Sequence, residues 1–189
     1  MYLAWVMEEI EHRKRLRRRD VWGARYLTFS CYRRAPLLGE SWVRDRFVAE
    51  LARAREACRF ELIAWVVMPE HVHLIILPRD EAWPVARILR SLKIPLARDV
   101  IAVWKERGIV PDEIRVGDQT RFWQRGGGFD RNVRDRTELA KEIRYVHENP
   151  VKRGLVSSPV EWLWSSARWY EGREGIPIDD VGQWMGGFE

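Results

Sequence analysis

Two histidines and a tyrosine are the side chains whose spacing offers chemistry. His71-Val72-His73 stands between an apolar run, Leu62 to Val67, and the aliphatics Leu74 to Leu77. Strand side chains alternate faces with a period of two. His71 and His73 therefore share one face, and Val72, Leu74 and Ile76 share the other. Two imidazoles kept side by side on a core strand need partners, because burying polar rings without them is costly. A divalent metal is the partner that two same-face histidines serve best. The plainer reading makes one histidine a satisfied core residue and the other a rim residue.

Tyr145 belongs to a second stretch. Asp135-x-x-Glu138 resembles a capping box, and Thr137 to about Glu148 reads as a helix with the apolar stripe Leu139, Ile143 and Val146. At about 100° per residue, Tyr145 falls about 200° and Asn149 about 240° around from Ile143. Both would share a polar face with Glu138 and Glu142, away from the core stripe. Asn149 precedes Pro150, which places it at the helix end. Taken alone, a tyrosine on such a face is a surface residue. His147 reads as a surface or capping residue.

The elements that must position these residues follow in order. Arg25 to Tyr32 is rich in aromatic residues and reads as a first strand. Val43, Phe47, Leu51 and Ala54 mark an amphipathic helix from Ser41, a possible N-cap, to Cys58. Phe60 to Val67 and His71 to Leu77 form an antiparallel pair around Met68-Pro69-Glu70. A helical stripe from Val85 to Trp104 follows, with a kink expected at Pro95. This β-α-β-β-α order predicts a ferredoxin-like α+β domain: an antiparallel sheet with helices packed on one face. Arg125-Gly126-Gly127-Gly128 lacks the spacing of a phosphate-binding loop and reads as a hinge. The expected division is a basic N-terminal arm at 1–20, a main domain at 21–170 and an irregular tail at 171–189.

Charge is unevenly placed. The chain of 189 residues carries 33 Lys and Arg against 28 Asp and Glu. Six of the seven residues from 13 to 19 are basic: Arg13, Lys14, Arg15, Arg17, Arg18 and Arg19. Arg121, Arg125, Arg131 and Arg134 form a second basic group in the middle. Such segments suit a polyanion. A few of the 11 tryptophans could stack on unpaired bases. Cys31 and Cys58 define no disulfide framework and fit a reducing compartment. No apolar run nears the roughly 20 residues that span a bilayer, and the start does not read as a signal peptide. A cytoplasmic, nucleoid-associated protein with no membrane partner is expected, as a monomer or homodimer.

These pieces resemble a known family. Val67-Met68-Pro69-Glu70-His71-Val72-His73-Leu74 resembles the His-hydrophobic-His motif of the single-tyrosine HUH transposases. Tyr145 to Val156, with Asn149-Pro150 inside it, looks like the tyrosine helix of the REP-associated branch. Phe122-Trp123-Gln124, Phe129-Asp130-Arg131 and Trp164-Ser165-Ser166-Ala167 also resemble that branch, and the likeness runs from about residue 22 to residue 170. The chain departs from the branch at Glu70, commonly Asn there, and at Lys152-Arg153, often Arg-Ala. Asn149 stands where the wider superfamily often has Gln.

The resemblance implies a metal-dependent single-stranded DNA transposase and endonuclease acting at REP-like hairpins. Tyr145 would be the nucleophile and leave a 5′-phosphotyrosine and a free 3′-OH. His71 and His73, with Asn149 as third ligand, would hold Mg²⁺ or Mn²⁺. The two basic groups would bind the DNA phosphates. The rival is a catalytically retired hairpin-binding protein. An RNA-binding domain on the same layout would need central-strand aromatics, and Tyr26 and Phe29 are out of phase.

Overall fold

The computed structural model describes residues 23–79, 83–126 and 128–179. Four strands form one sheet: β1 (Arg25–Ser30), β2 (Phe60–Val67), β3 (His71–Pro78) and β6 (Phe129–Asn132), in the order β2-β3-β1-β6. All neighbours are antiparallel. This is the ferredoxin-like order, with β1 and β3 central. A two-stranded ribbon, β4 (Arg115–Val116) and β5 (Gln119–Thr120), lies in the connection before β6. The helices are α1 (Ser41–Cys58), α2 (Val85–Glu106), α3 (Arg136–Lys152) and the short α4 (Ala167–Tyr170).

The two faces of the sheet bury different cores. Leu27, Phe29, Leu62, Val72, Leu74 and Ile76 pack with Val43, Phe47 and Leu51 of α1 and Ile88, Leu92 and Leu96 of α2. Each such fully buried side chain contributes about 2 kcal/mol of transfer free energy. On the other face, Tyr26, Ile63, Val66 and Ile75 meet Leu139 and Val146 of α3. Helices on one face therefore describes α1 and α2, and α3 covers the opposite, histidine-bearing face.

Three local features refine the expected pattern. Strand β2 shifts register between Leu62 and Ala64, so Ile63 and Ala64 both join the α3-side core. Helix α2 runs through Pro95, which cannot donate to the Ser91 carbonyl one turn earlier. Arg53 of α1 donates to that carbonyl instead, at 2.6 Å. Ser41 is not the cap of α1: the N-cap is Glu40, with no side-chain bond.

Loops extend the sheet at both edges. Val67 donates to the Trp164 carbonyl and Ser166 to the Trp65 carbonyl, each at 2.9 Å, so residues 164–166 cover the β2 edge. On the β6 side of β1, Trp123 pairs with Cys31 beyond the end of β6, which itself begins with the Phe129–Thr28 pair. Gly126 and Gly128 lie between these two pairs, in a connection longer than the stretch of β1 that it faces. Gly128 has φ +77°, and a Cβ there would stand 2.1 Å from the Thr28 carbonyl oxygen.

Candidate active site

The β1–β3 register builds the histidine half of the site. His73 pairs with Thr28 and His71 with Ser30, and side chains at paired positions point the same way. Both histidines are buried, on the α3 side of the sheet. Their Nε2 atoms face each other at 2.9 Å, with the rings 86° apart. The Tyr26 hydroxyl and the Thr28 Oγ1 each lie 2.8 Å from His73 Nδ1. His71 Nδ1 donates to Glu70 Oε1 at 3.1 Å.

The Glu70 carboxylate is an anion at neutral pH. Burial would raise its pKa, but the hydrogen bond from His71 and the charge of Arg153 hold it below the usual carboxylate range. An ionised carboxylate only accepts hydrogen bonds, so the proton of a neutral His71 ring sits on Nδ1 and its Nε2 is a bare lone pair. His73 can donate from Nε2 to that lone pair, or place its proton on Nδ1 toward Tyr26 and Thr28. In the second state two lone pairs converge, which is the arrangement a cation would relieve. Among the described residues no cluster of three or more His, Cys, Asp or Glu side chains surrounds one point. The donor set available to a metal is thus two imidazole nitrogens with other positions open, which suits an ion that also binds water and phosphate oxygens.

Helix α3 supplies the tyrosine. Asp135 caps it by accepting from the Glu138 amide at 2.8 Å. Glu138 does not complete a capping box; its carboxylate accepts from the Arg134 amide at 2.6 Å and pairs with Arg131. The helix continues through Pro150 to Lys152, so Asn149 remains one regular turn beyond Tyr145. The tyrosine ring is half-buried. It lies edge-on to His73 at 5.8 Å and to Tyr26 at 6.5 Å, between ring centroids. Lys152 Nζ stands 5.0 Å from its centroid.

The face carrying Tyr145 is therefore not turned to solvent as the helical wheel suggested. Asn149 is buried, and Glu142 is nearly so. The helix crosses the sheet so that Tyr145 flanks the contact face beside Val146. Asn149 Nδ2 donates to the Tyr145 carbonyl at 2.7 Å, so that amide is turned back along its own helix. His147 is not a surface residue either. Its Nε2 is 2.8 Å from Ser166 Oγ, its ring packs on Tyr170, and burial lowers its pKa to about 4.

The basic residues separate into two kinds. Arg125 and Arg134 are exposed, and Arg121 lies half-buried with its guanidinium 5.8 Å from the Tyr32 ring. Arg131 is engaged within the fold: it pairs with Glu138 and, at 2.6 Å, with Glu142, and lies over the Tyr26 ring. Arg13, Lys14, Arg15, Arg17, Arg18 and Arg19 lie outside the described residues, as do the rest of the expected arm and the last ten residues of the tail. Sequence reasoning missed Tyr26, Thr28, Glu70 and Arg153 as neighbours of the histidines. Tyr26 and Thr28 share the histidine face by period-two alternation, and that signal was available in the strand pattern.

An antiparallel ferredoxin-like sheet with a His-x-His strand, crossed by a helix that sets a tyrosine against the second histidine, is the layout of a single-tyrosine transposase domain. Residues 26–148 match the family model described as transposase IS200 like, and the chain belongs to that family. It is similar to a protein of Haemophilus influenzae named provisionally as a REP-associated tyrosine transposase, at 30% identity over 110 residues. It is also 29% identical over 126 residues to a REP-associated tyrosine transposase of Escherichia coli. Those matches cover 57% and 65% of this chain, and 58% and 64% of the two relatives. A solved structure of a REP-associated tyrosine transposase bound to a REP hairpin shares the fold, with a TM-score of 0.62 at 22% identity. That likeness spans 89% of this chain and 93% of the other. Among the described residues, no helix is long and apolar enough to cross a membrane.

Proposed function

We propose that this transposase-family protein cleaves and rejoins single-stranded DNA at REP-like hairpins, with Tyr145 as nucleophile and His71 and His73 as ligands of Mg²⁺ or Mn²⁺. The observation that carries the reading is the contact of the Tyr145 ring with His73 while His73 Nε2 faces His71 Nε2. It joins a nucleophile to a metal-ready pair across 72 residues of sequence (145 − 73).

The Tyr145 oxygen attacks a backbone phosphorus and loses its proton. The P–O3′ bond breaks, the 3′ oxygen gains a proton, and a 5′-phosphotyrosine is left. Attack of a 3′-OH on that linkage reverses the step and joins strands without an external energy source. A bound divalent ion would polarise the phosphate and offset its developing charge. His71 is held in the required tautomer by Glu70, and His73 is steadied by Tyr26 and Thr28. Asn149, one turn after Tyr145, would be the third ligand once its amide turned from the Tyr145 carbonyl. Arg121, Arg125 and Arg134, with the basic residues at 13–19, contact phosphates.

The test incubates a labelled REP-type hairpin, with its flanking single strand, with the protein. Wild type with Mn²⁺ yields a covalent protein–DNA adduct and a free 3′-OH product; Tyr145→Phe yields neither. An adduct that persists in Tyr145→Phe would overturn the nucleophile. Tight hairpin binding without cleavage, indifferent to Mn²⁺ and to His71→Ala, would instead mark a retired binding module.

A further inference from the structure

We infer that Glu70 is a positioning residue that sets both halves of this site at once, aligning His71 through its ring and tethering the end of the tyrosine helix through Arg153. The inference rests on the function proposed above and adds what keeps its parts in register.

Glutamate is rarely buried unless paired. Glu70 is buried, in the turn just before β3. Its Oε1 accepts from His71 Nδ1 at 3.1 Å and from Arg153 at 2.7 Å, and Arg34 lies 3.7 Å away. Arg153 is the C-cap of α3, and its amide donates to the Asn149 carbonyl at 3.1 Å. One carboxylate thus links the histidine strand to the last turn of the helix that carries Tyr145. The Glu70 backbone is fixed as well: its carbonyl accepts from Cys31 at 2.9 Å, at the end of β1.

The Arg34 contact requires an unfavourable turn. Arg33 and Arg34 have φ of 52° and 55°, a left-handed region that disfavours residues bearing a side chain. The turn is held by Arg34 donating to the Cys31 carbonyl and by the Arg33 amide donating to Gln124 Oε1. It returns Arg34 toward Glu70, so a second arginine screens the carboxylate.

The two links have separable consequences. The Glu70–His71 bond keeps the proton on Nδ1 and Nε2 free for a metal; losing such an outer partner weakens metal binding about 10- to 100-fold. The Glu70–Arg153 bond acts on helix placement and leaves the imidazole untouched. Glu70→Gln replaces the anion by a neutral amide and weakens both, and Arg153→Gln removes only the second.

The experiment uses the full chain as wild type, Glu70→Gln, Arg153→Gln and the double variant. Mn²⁺ affinity without DNA is read from the free-ion EPR signal. Adduct formation is timed in single turnovers at saturating hairpin and Mn²⁺, and hairpin Kd and urea midpoints are measured alongside. Glu70→Gln is expected to bind Mn²⁺ about tenfold more weakly, and Arg153→Gln within about twofold of wild type. Both form adduct more slowly, and the double variant is no slower than Glu70→Gln by more than about twofold, because the two changes act on one link. Unchanged Mn²⁺ affinity in Glu70→Gln overturns the alignment of His71. Rate losses that multiply in the double variant, or an Arg153→Gln that loses hairpin affinity at an unchanged rate, overturn the tether. If Glu70→Gln fails to fold, Glu70→Asp carries the histidine test and the exposed Arg153→Gln carries the tether test. A wild type that binds Mn²⁺ yet forms no adduct refutes the proposed cleavage, while the Mn²⁺ titrations still decide the Glu70–His71 link.

Discussion

His71 Nε2 and His73 Nε2 face each other at 2.9 Å, each ring held from behind at its Nδ1. Glu70 fixes the first ring in one tautomer. The second ring can switch its proton between Nε2 and Nδ1, because two hydroxyls there can accept as well as donate. A site so arranged is satisfied without a cation and ready for one.

The pair should therefore govern metal affinity and leave DNA affinity nearly alone. His71→Ala or His73→Ala is expected to weaken Mn²⁺ binding about a hundredfold. Chelation by EDTA should stop adduct formation while hairpin binding persists. Calorimetric Mn²⁺ titration and a hairpin gel-shift separate the two effects. Wild-type Mn²⁺ affinity in His71→Ala would show that the ion, if bound, sits elsewhere.

Gly128 tests the glycine segment. A hinge would make Gly128→Ala slow the reaction while stability held. The close approach to Thr28 makes the opposite case, since a Cβ 2.1 Å from a backbone oxygen and a φ of +77° both oppose a side chain. Gly128→Ala should lose about 2–3 kcal/mol of stability in urea unfolding. Gly23→Ala, with open space around its Cβ, should change it by less than about 0.5 kcal/mol. An unchanged midpoint for Gly128→Ala would return the segment to the hinge reading.

Some of this was written locally and some was not. Period-two alternation puts His71 and His73 on one face and Val72 and Leu74 in the opposite core, and β3 keeps that pattern. Helical spacing puts Asn149 one turn after Tyr145, and α3 keeps that too. The extra residue at Ile63 follows from strand pairing, which no pattern within β2 reveals. Glu70 and Arg153 lie 83 residues apart, and Arg25 and Asp130 lie 105 apart. Such ion pairs depend on which surfaces meet, so a charge count assigns Arg131 to phosphate as readily as to Glu142. The burial of Asn149 escaped for the same reason: a wheel gives angles within a helix, not the tilt at which it crosses a sheet.

Cys31 gives an alkaline signature. It is fully buried, and burial, with Glu70 adding to it against opposing backbone hydrogen bonds, raises its thiol from 9.0 to about 12. Between those values the unfolded chain releases a proton that the folded chain retains. The stability tied to the neutral thiol is thus complete below pH 9 and is lost as pH rises toward 12. Urea midpoints should fall over this window, and less steeply in Cys31→Ala. At pH 8 the native thiol should resist iodoacetamide and react after unfolding. Rapid labelling of native Cys31 would contradict its burial.

Arg131 decides between a phosphate contact and a brace. Its guanidinium pairs with Glu138 and Glu142 of α3 and lies 5.4 Å from the centroid of the Tyr26 ring, whose hydroxyl contacts His73. These groups are partly shielded from water, so the pairs exceed ordinary surface bridges in strength. Arg131→Ala should lower stability by about 1–2 kcal/mol, speed hydrogen exchange in α3 and leave the salt slope of hairpin binding unchanged. Arg125→Ala, at an exposed position, should instead reduce that slope by about one and leave stability alone. A double-mutant cycle between Arg131→Ala and Glu142→Ala should return a coupling of about 1 kcal/mol. Were Arg131→Ala to flatten the salt slope with no coupling to Glu142, the arginine would be a DNA contact and not a brace of α3.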